Sequence, residues 1–407
     1  MVVNTPAIGD EHARLARRYA ELVIRVGANV TSGQHVFIQS TVENASFARA
    51  ITAAAYDAGA AYVDVHYRDD VVRRSFIEAA DDETLMYSPP WLMRRLESMH
   101  ELRGAEILIV GDPAGPFDGI DQQRLGRAQP HDYVKRLMEI RSQERSINWT
   151  IVAGPNEGWA EQVYGTGDLG ALWAAVARAV RLDEPDPVAT WHEHLARLRG
   201  RAEDLNQRRF DALRFRGPGT DLTVGLLGVS QWVTGDSKTS DGRRFCNNLP
   251  TEEVFTTPDP MRTEGVVRAT RPFMPRPGLV VEGLSLRFEQ GRIVDVDATR
   301  GAEIVRGHLA TDPNAPFLGE VALVDGDSRV GQLETTFYNT LLDENAACHI
   351  AYGSSIAKAT NFKPGGNKAA IHADLMIGGP NILVDGLDRE GHATPLMRDD
   401  VWLLNES

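Results

Sequence analysis

The stretch that decides the fold lies near the C-terminal end of the chain and reads Ile371-His372-Ala373-Asp374. His372 and Asp374 are two residues apart. Because side chains alternate between the two faces of a β-strand, both would point the same way. An imidazole and a carboxylate that converge on one face, between apolar neighbours, form a candidate pair of metal ligands.

Three more candidate ligands lie upstream: His349, Glu320 before the apolar run 321–324, and Glu253 before Val-Phe-Thr. An unpaired carboxylate at the end of a buried strand is costly, and a cation would offset that cost. For any one of these residues alone, a salt bridge or a hydrogen-bonded core histidine is the commoner outcome. Together, nitrogen and oxygen ligands from distant segments predict a metal site that the fold assembles.

The chemistry of this ligand set narrows the choice of metal. Histidines mixed with several carboxylates suit Zn, Co or Mn, and the set is too rich in oxygen for a structural zinc site. With this many carboxylates, the sequence predicts two divalent ions about 3.5 Å apart that share a bridging glutamate.

Composition sets limits on the function. A chain of 407 residues is long enough for two or three domains. Its formal net charge of −14 argues against a nucleic-acid partner and against an anionic membrane surface. No apolar run approaches the ~18 residues that span a bilayer, residues 1–10 lack a signal-peptide pattern, and the two cysteines are too few for a disulfide framework. We therefore expect a cytoplasmic protein.

Hydrophobic patterning divides the chain into two domains. Residues 1–208 alternate helical segments with short apolar strands, which predicts an α/β N-terminal domain with a mostly parallel sheet. From residue 209 the segments become shorter and richer in Gly, Thr and Val, with tight turns between them. We expect residues 209–407 to form a strand-rich α+β domain that carries the metal ligands and the catalysis.

Several segments resemble one family, the metallo-aminopeptidases of the thermophilic (M29) type, over nearly the whole chain. The block Phe-Tyr-Asn-Thr-Leu-Leu-Asp-Glu-Asn-Ala-Ala-Cys-His at 337–349 is the most specific of them. The other similar segments are 19–34, 248–258, 281–288, 318–324 and 370–378.

This resemblance implies a function and a set of roles. Members of the family are expected to hold two divalent ions, to remove N-terminal residues from peptides, and to form homodimers with an enclosed cavity. Carried over by motif, the metal ligands are Glu253, Glu320, His349, His372 and Asp374. Glu253 is preferred to Glu252 as the ligand because it directly precedes Val-Phe-Thr. Either of these two glutamates is a candidate general base.

One departure from the family pattern concerns a tyrosine that usually stands seven residues after the first histidine. Ile356 occupies that position here, and the interval from His349 to His372 is shorter than usual. An isoleucine cannot donate a hydrogen bond to an oxyanion, and losing one such donor commonly costs ~10²–10³ in turnover. Either another donor, such as Tyr352 three residues after His349, replaces the missing tyrosine, or the protein carries out different chemistry on the same scaffold.

Other functions fit part of the pattern. The altered tyrosine segment favours a small-molecule amidase to some degree. A mononuclear Fe(II) dioxygenase that opens a ring would need only His349, His372 and Asp374. A non-catalytic binding protein would need none of the ligands. Glu253 and Glu320 favour two metals and hydrolysis of a peptide or a small amide over the last two alternatives.

Overall fold

The computed structural model describes residues 10–111, 115–276 and 279–404. Residues 1–9, which lack a signal-peptide pattern, lie outside that range. The chain forms two compact units. The first comprises Met1–His192 with Ser237–Leu249, and the second comprises Glu193–Asp236 with Pro250–Ser407.

The helices are short, apart from one of 22 residues that begins at Pro187. Their bounds are α1 Asp10–Leu22, α2 Ala45–Asp57, α3 Asp70–Ala79, α4 Pro90–Glu101, α5 Gln122–Arg127, α6 His131–Met138, α7 Glu157–Tyr164, α8 Leu169–Ala179, α9 Pro187–Arg208, α10 Ala302–Leu309 and α11 Thr340–Asp343. None of these helices has the length and apolar character needed to cross a bilayer, within the residues that the structure describes.

The strands lie mostly in the second half of the chain, as the sequence predicts. Their bounds are β1 His35–Thr41, β2 Tyr62–Arg68, β3 Ala105–Val110, β4 Asn148–Ala153, β5 Ala212–Gly217, β6 Thr220–Leu226, β7 Asp236–Lys238, β8 Arg244–Cys246, β9 Asn248–Leu249, β10 Glu253–Thr256, β11 Pro258–Arg268, β12 Phe273–Arg276, β13 Leu279–Val281, β14 Ser285–Glu289, β15 Arg292–Asp297, β16 Leu318–Val324, β17 His349–Gly353, β18 His372–Met376, β19 Leu383–Leu387, β20 Ala393–Arg398 and β21 Val401–Trp402.

The first unit is the α/β domain that the alternating pattern predicts. Its sheet has the order β2-β1-β3-β4-β9, and every pairing in it is parallel. Helices α1, α2 and α8 pack together through aromatic rings: Tyr19 stacks on Phe47 at 4.9 Å, and the edge of Phe47 meets Trp173 at 5.8 Å. Parallel strands need such crossover helices, so the architecture follows from the order of the elements.

The second unit is the strand-rich domain. It contains an eight-stranded antiparallel sheet, β15-β14-β11-β6-β5-β19-β20-β21, and a four-stranded antiparallel sheet, β10-β16-β17-β18. One apolar core joins residues of both sheets, among them Leu213, Val224, Val321 and Ile350. The predicted fold class is therefore confirmed for both halves of the chain.

The division between the units differs from the expected boundary at 208/209. It falls at 192/193, within α9, and residues 237–249 return to the first unit. The return ends in β9, where Asn248 pairs with Ile151 at the edge of the parallel sheet. The change in composition at 209 marks the first strand after α9, whereas a strand that rejoins a distant sheet leaves no local signal.

Candidate metal centre

The four-stranded sheet has two faces of opposite character. On one face Val254, Leu323, Ile350 and Leu375 are almost completely buried in the apolar core. The other face carries acids and histidines. Period-two alternation along each strand separates the two sets, so each ligand candidate has a core residue next to it in sequence.

Strand register brings the five candidate ligands onto this second face. Ala322 pairs with His349, Ala351 pairs with Asp374, and Gly353 pairs with His372. Glu320 lies two residues before Ala322, and Glu253 lies two residues before Phe255, which pairs with Ala322. Four strands from distant parts of the chain therefore contribute side chains to one small area.

The side chains form two overlapping groups that share Glu320. In the first group, His349 Nε2 lies 3.0 Å from Glu253 Oε2 and 4.0 Å from Glu320 Oε1. In the second, His372 Nε2 lies 3.4 Å from Glu320 Oε2 and 3.2 Å from Asp374 Oδ1. Within each group the three potential ligand atoms all lie within 4.8 Å of one another.

The outer nitrogen of each imidazole is held by a backbone carbonyl. His349 Nδ1 lies 3.2 Å from the Ala347 oxygen, and His372 Nδ1 lies 2.7 Å from the Ser354 oxygen. Because a carbonyl oxygen only accepts hydrogen bonds, Nδ1 carries the hydrogen in each neutral ring. The Nε2 lone pair then points at the carboxylates, which is the orientation that metal-binding histidines need.

A fourth carboxylate, Glu344, belongs to the same cluster, and the sequence analysis missed it. It begins the turn Glu344–Ala346, directly after α11. Burial, together with the charges of Asp374, Glu253 and Glu320, raises its pKa well above the usual value. Glu344 and Asp374 also border a cavity of about 10 Å³, which is room for one water molecule. The sequence signal that points to Glu344 is its position inside residues 337–349, the block that resembles the family most specifically.

Burial and neighbouring charges shift the pKa values of the ionisable groups in the cluster. Burial and the neighbouring Glu253 raise the pKa of Glu320 to about 8. Burial alone would lower the pKa of the two histidines, but the surrounding carboxylates raise it to about 9 for His349 and about 10 for His372. Burial opposes ionisation of Asp374, yet the adjacent His372 holds the pKa of Asp374 below its ordinary value.

These observations fit divalent cations. The cluster holds more carboxylates than imidazoles. Burial and mutual repulsion raise the pKa of Glu320 and of Glu344, and ionising all four carboxylates together requires positive charge beyond the two imidazoles. In the part of the chain that the structure describes, buried Glu253 Oε2 has no hydrogen-bond partner in good geometry, although His349 Nε2 lies 3.0 Å away. A buried carboxylate oxygen without a hydrogen bond is rare and is explained when it coordinates an ion. The donor set of imidazole nitrogen and carboxylate oxygen suits a catalytic metal site.

Glu252 lies outside the cluster, which corrects its expected role as a general base. Its carboxylate lies 3.3 Å from His194 Nε2 instead, and its backbone N–H donates to Asn345 Oδ1 at 2.6 Å. Glu252 precedes Glu253 by one residue, so the alternation that directs Glu253 into the site directs Glu252 away from it.

The structure also corrects the expectation that Tyr352 replaces the family tyrosine. Tyr352 is fully buried on the core face of β17, and its hydroxyl lies 3.0 Å from His308 Nδ1. It is an odd number of residues from His349, so the two side chains lie on opposite faces. Ile356 is 36% exposed, just before the helical turn Ala357–Thr360. Neither position supplies a hydroxyl to the cluster.

Asn345 ties two of the acidic segments together. This fully buried amide accepts the Glu252 N–H through Oδ1, and its Nδ2 donates to the Leu341 oxygen at 2.9 Å. One contact fixes the start of β10 next to Glu253, and the other fixes the turn that carries Glu344. Asn345 is therefore a positioning residue for both carboxylates.

Removing the Tyr352 hydroxyl should test its placement on the core face. Tyr352→Phe removes the hydrogen bond to His308, so we expect the free energy of unfolding to fall by about 1 kcal/mol. Turnover should stay within about two-fold of wild type, because no atom on the metal face changes. Urea unfolding and steady-state kinetics measure both quantities, and a large loss of turnover at unchanged stability would restore the catalytic role.

Removing the Asn345 amide should affect both stability and metal binding. Asn345→Ala leaves the Glu252 N–H and the Leu341 carbonyl without this partner, which should lower the free energy of unfolding by about 1–3 kcal/mol. It should also weaken metal binding, because two acidic segments lose their link. Urea unfolding of metal-free protein and a metal titration separate the two effects. Unchanged metal affinity would refute the positioning role.

Comparisons with known proteins agree with this geometry. Residues 12–402 match the family described as thermophilic metalloprotease (M29). The chain is 40% identical to aminopeptidase T of Thermus aquaticus, over 97% of this chain and all of that protein. It is 34% identical to aminopeptidase AmpS of Bacillus subtilis, over 97% of this chain and 99% of that protein. A solved structure, wild-type AmpT from Thermus thermophilus, superposes with a TM-score of 0.89 at 38% identity, covering 96% of this chain and 99% of that one. The chain therefore belongs to the M29 family of metalloproteases and is an enzyme of that family.

Proposed function

We propose that this enzyme is a metal-dependent aminopeptidase that uses two divalent ions, Zn, Co or Mn, to release N-terminal residues from peptides. The observation that carries the proposal is the pair of three-residue groups that share Glu320. A carboxylate with one oxygen toward each group is the usual bridge between two ions about 3.5–4 Å apart.

Each residue then has a defined part in the reaction. Glu253 and His349 would hold one ion, His372 and Asp374 would hold the other, and Glu320 would hold both. Bound ions supply a water of lowered pKa and polarise the scissile carbonyl. The carbonyls of Ala347 and Ser354 keep both imidazoles oriented. Glu344 borders the small cavity next to Asp374, and we assign its carboxylate to take up the proton that the attacking water loses.

The substrate's free amine also needs a place in the site. A free α-amino group is a cation at neutral pH, and we assign it a position against an ion, as the neutral amine, or against a carboxylate beside the ions. This favours peptides with an unblocked N-terminus. The homodimer that the resemblance implies stays a prediction, which light scattering on the purified protein would check.

Iron-dependent ring opening is not favoured. That chemistry would need His349, His372 and Asp374 around a single ion. Within the described part of the chain, His349 falls in the group with Glu253, whereas His372 and Asp374 fall in the other group. A small-molecule amidase remains the second candidate, because the altered segment at Ile356 favours it and the metal centre would be the same.

The number of bound ions tests the two-metal proposal. We expect about two divalent ions per chain in wild type and at most one in Glu320→Gln, because the shared carboxylate loses its charge. Glu252→Gln is the matched control, since Glu252 is a neighbouring buried glutamate outside the cluster, and it should retain both ions. Mass spectrometry of the metals measures all three proteins. Two ions in Glu320→Gln would contradict the shared role.

Blocking the amine tests the substrate class. Wild type should hydrolyse leucine p-nitroanilide, and N-acetylation of the same compound should lower kcat/KM by at least about 10²-fold, because the cationic amine is lost. The metal-depleted protein should be inactive and should regain activity with Zn, Co or Mn. Equal rates on both compounds would support the amidase instead.

A further inference from the structure

A second cavity, of about 480 Å³, lies entirely within the second unit. It is lined by residues at the end of α9, by the segment after β6, and by Lys363 and Arg389. None of the candidate metal ligands borders it. Its volume falls in the range of sites that bind small molecules, about 300–1,000 Å³.

Three cations line this cavity: Arg209, Lys363 and Arg389. All three are exposed, and none of their side chains makes an ion pair or hydrogen bond with a residue in the described part of the chain. The acid on the lining, Asp211, is already paired with Arg262. In a chain with a net charge of −14, the cavity is a local concentration of uncompensated positive charge.

Nearby arginines show that such pairing is available in this region. Arg208, next to Arg209, binds Asp204 at 3.0 Å. Arg214 binds Asp221 with two hydrogen bonds, at 3.0 and 3.1 Å. Pairing with an acid on the same unit is thus accessible to arginines around the cavity, and the three cations on its lining lack it.

The floor of the cavity combines polar and apolar side chains. Leu205, Leu226 and Trp232 line it but are at least 95% buried, so the apolar surface that a ligand can touch comes from Phe210, Leu227 and Val229, which are half-buried or exposed. Asn206 also lies on the lining, but both ends of its amide are used: Nδ2 donates to the Trp232 oxygen at 2.9 Å, and Oδ1 accepts the Trp232 N–H at 2.8 Å. The three accessible apolar side chains can contact an apolar group, and the polar contacts available to a ligand come from the cations, from Ser230 and Gln231, and from neighbouring backbone.

The backbone next to two of the cations is in the left-handed region. Arg209 has φ 52°, and Asn361 and Phe362, directly before Lys363, have φ 50° and 60°. Successive backbone hydrogen bonds hold the second turn: Asn361 to Lys358, Phe362 to Ala357, and Lys363 to Thr360. For Arg209 this is the common conformation of the residue that follows a helix, so it marks an ordered backbone around the cation. A defined turn, and not a loose loop, presents Lys363.

We propose that this cavity is a binding site for a small organic anion: a molecule that places an apolar body on the floor and a carboxylate or phosphate group among Arg209, Lys363 and Arg389. Guanidinium groups bind both kinds of anion through paired hydrogen bonds, and a lysine adds a point charge. The site is separate from the metal centre and does not depend on the proposed reaction.

Calorimetric titration of the full chain with 3-phenylpropionate and with phenyl phosphate tests the site, because each probe joins an anionic group to an aromatic ring. The uncharged analogue 3-phenylpropionamide is the ligand control. We expect at least one anion to bind wild type with a Kd in the millimolar range or tighter, and the amide to bind at least about 10-fold more weakly. The anion that binds more tightly identifies the preferred group.

Anion binding by variants of the protein tests whether the anion binds in this cavity. Arg209→Gln/Arg389→Gln should weaken anion binding at least about 10-fold. The control Arg287→Gln/Arg300→Gln, which removes two positive charges from exposed side chains of the same unit, should leave it unchanged. His372→Ala should also bind as wild type does, because an anion can ligate a metal. No binding of either anion, equal binding by the Arg209/Arg389 variant, or loss of binding in His372→Ala would each overturn the proposal.

Discussion

The structure of the second unit depends on keeping four carboxylates and two imidazoles together on one face of a small buried sheet. Like charges in a low-dielectric setting repel strongly, and burial removes the water that would screen them. The raised pKa values of Glu320 and Glu344 result from this burial and repulsion. The opposite face of the same four strands is almost wholly apolar and buried. Core packing on that face holds the acids where their mutual repulsion would otherwise separate them.

Strand register places these acids and histidines on the same face of the sheet. A slip of one residue in any of the four strands would move its acid or histidine into the core and bring an apolar side chain to the metal face. Asn345 adds a second restraint, because it joins the start of β10 to the turn that carries Glu344. The carbonyls behind His349 and His372 fix the rings themselves. Geometry suited to metal ions is therefore built from neighbouring backbone as well as from the ligands.

The features that the sequence predicts correctly are those set by a regular spacing of residues within one segment. His372 and Asp374 share a face because they are two residues apart, and the alternating elements of the first half gave the parallel sheet. The same period argued against Tyr352, which is three residues from His349. The structure places the tyrosine in the core, as this spacing indicates.

Other features had no local pattern to reveal them. Glu344 lies on a turn, where side chains follow no alternation, and its proximity to Asp374 arises only when distant segments meet. The return of residues 237–249 to the first unit is equally non-local. The cavity near Arg209 joins three cations from separate segments, none of which is unusual in sequence.

The segment between β17 and β18 contributes both to the metal centre and to the second cavity. It contains Ile356, at the position where the resemblance leads us to expect a tyrosine. Its first residue, Ser354, orients the His372 ring, and Lys363 within it lines the second cavity. One segment therefore serves two places: its first residue supports a metal ligand, and Lys363 gives a cation to a cavity that no metal ligand borders. The five candidate ligands themselves lie on the four strands outside this segment, so its contribution to the metal centre is the Ser354 carbonyl that orients His372.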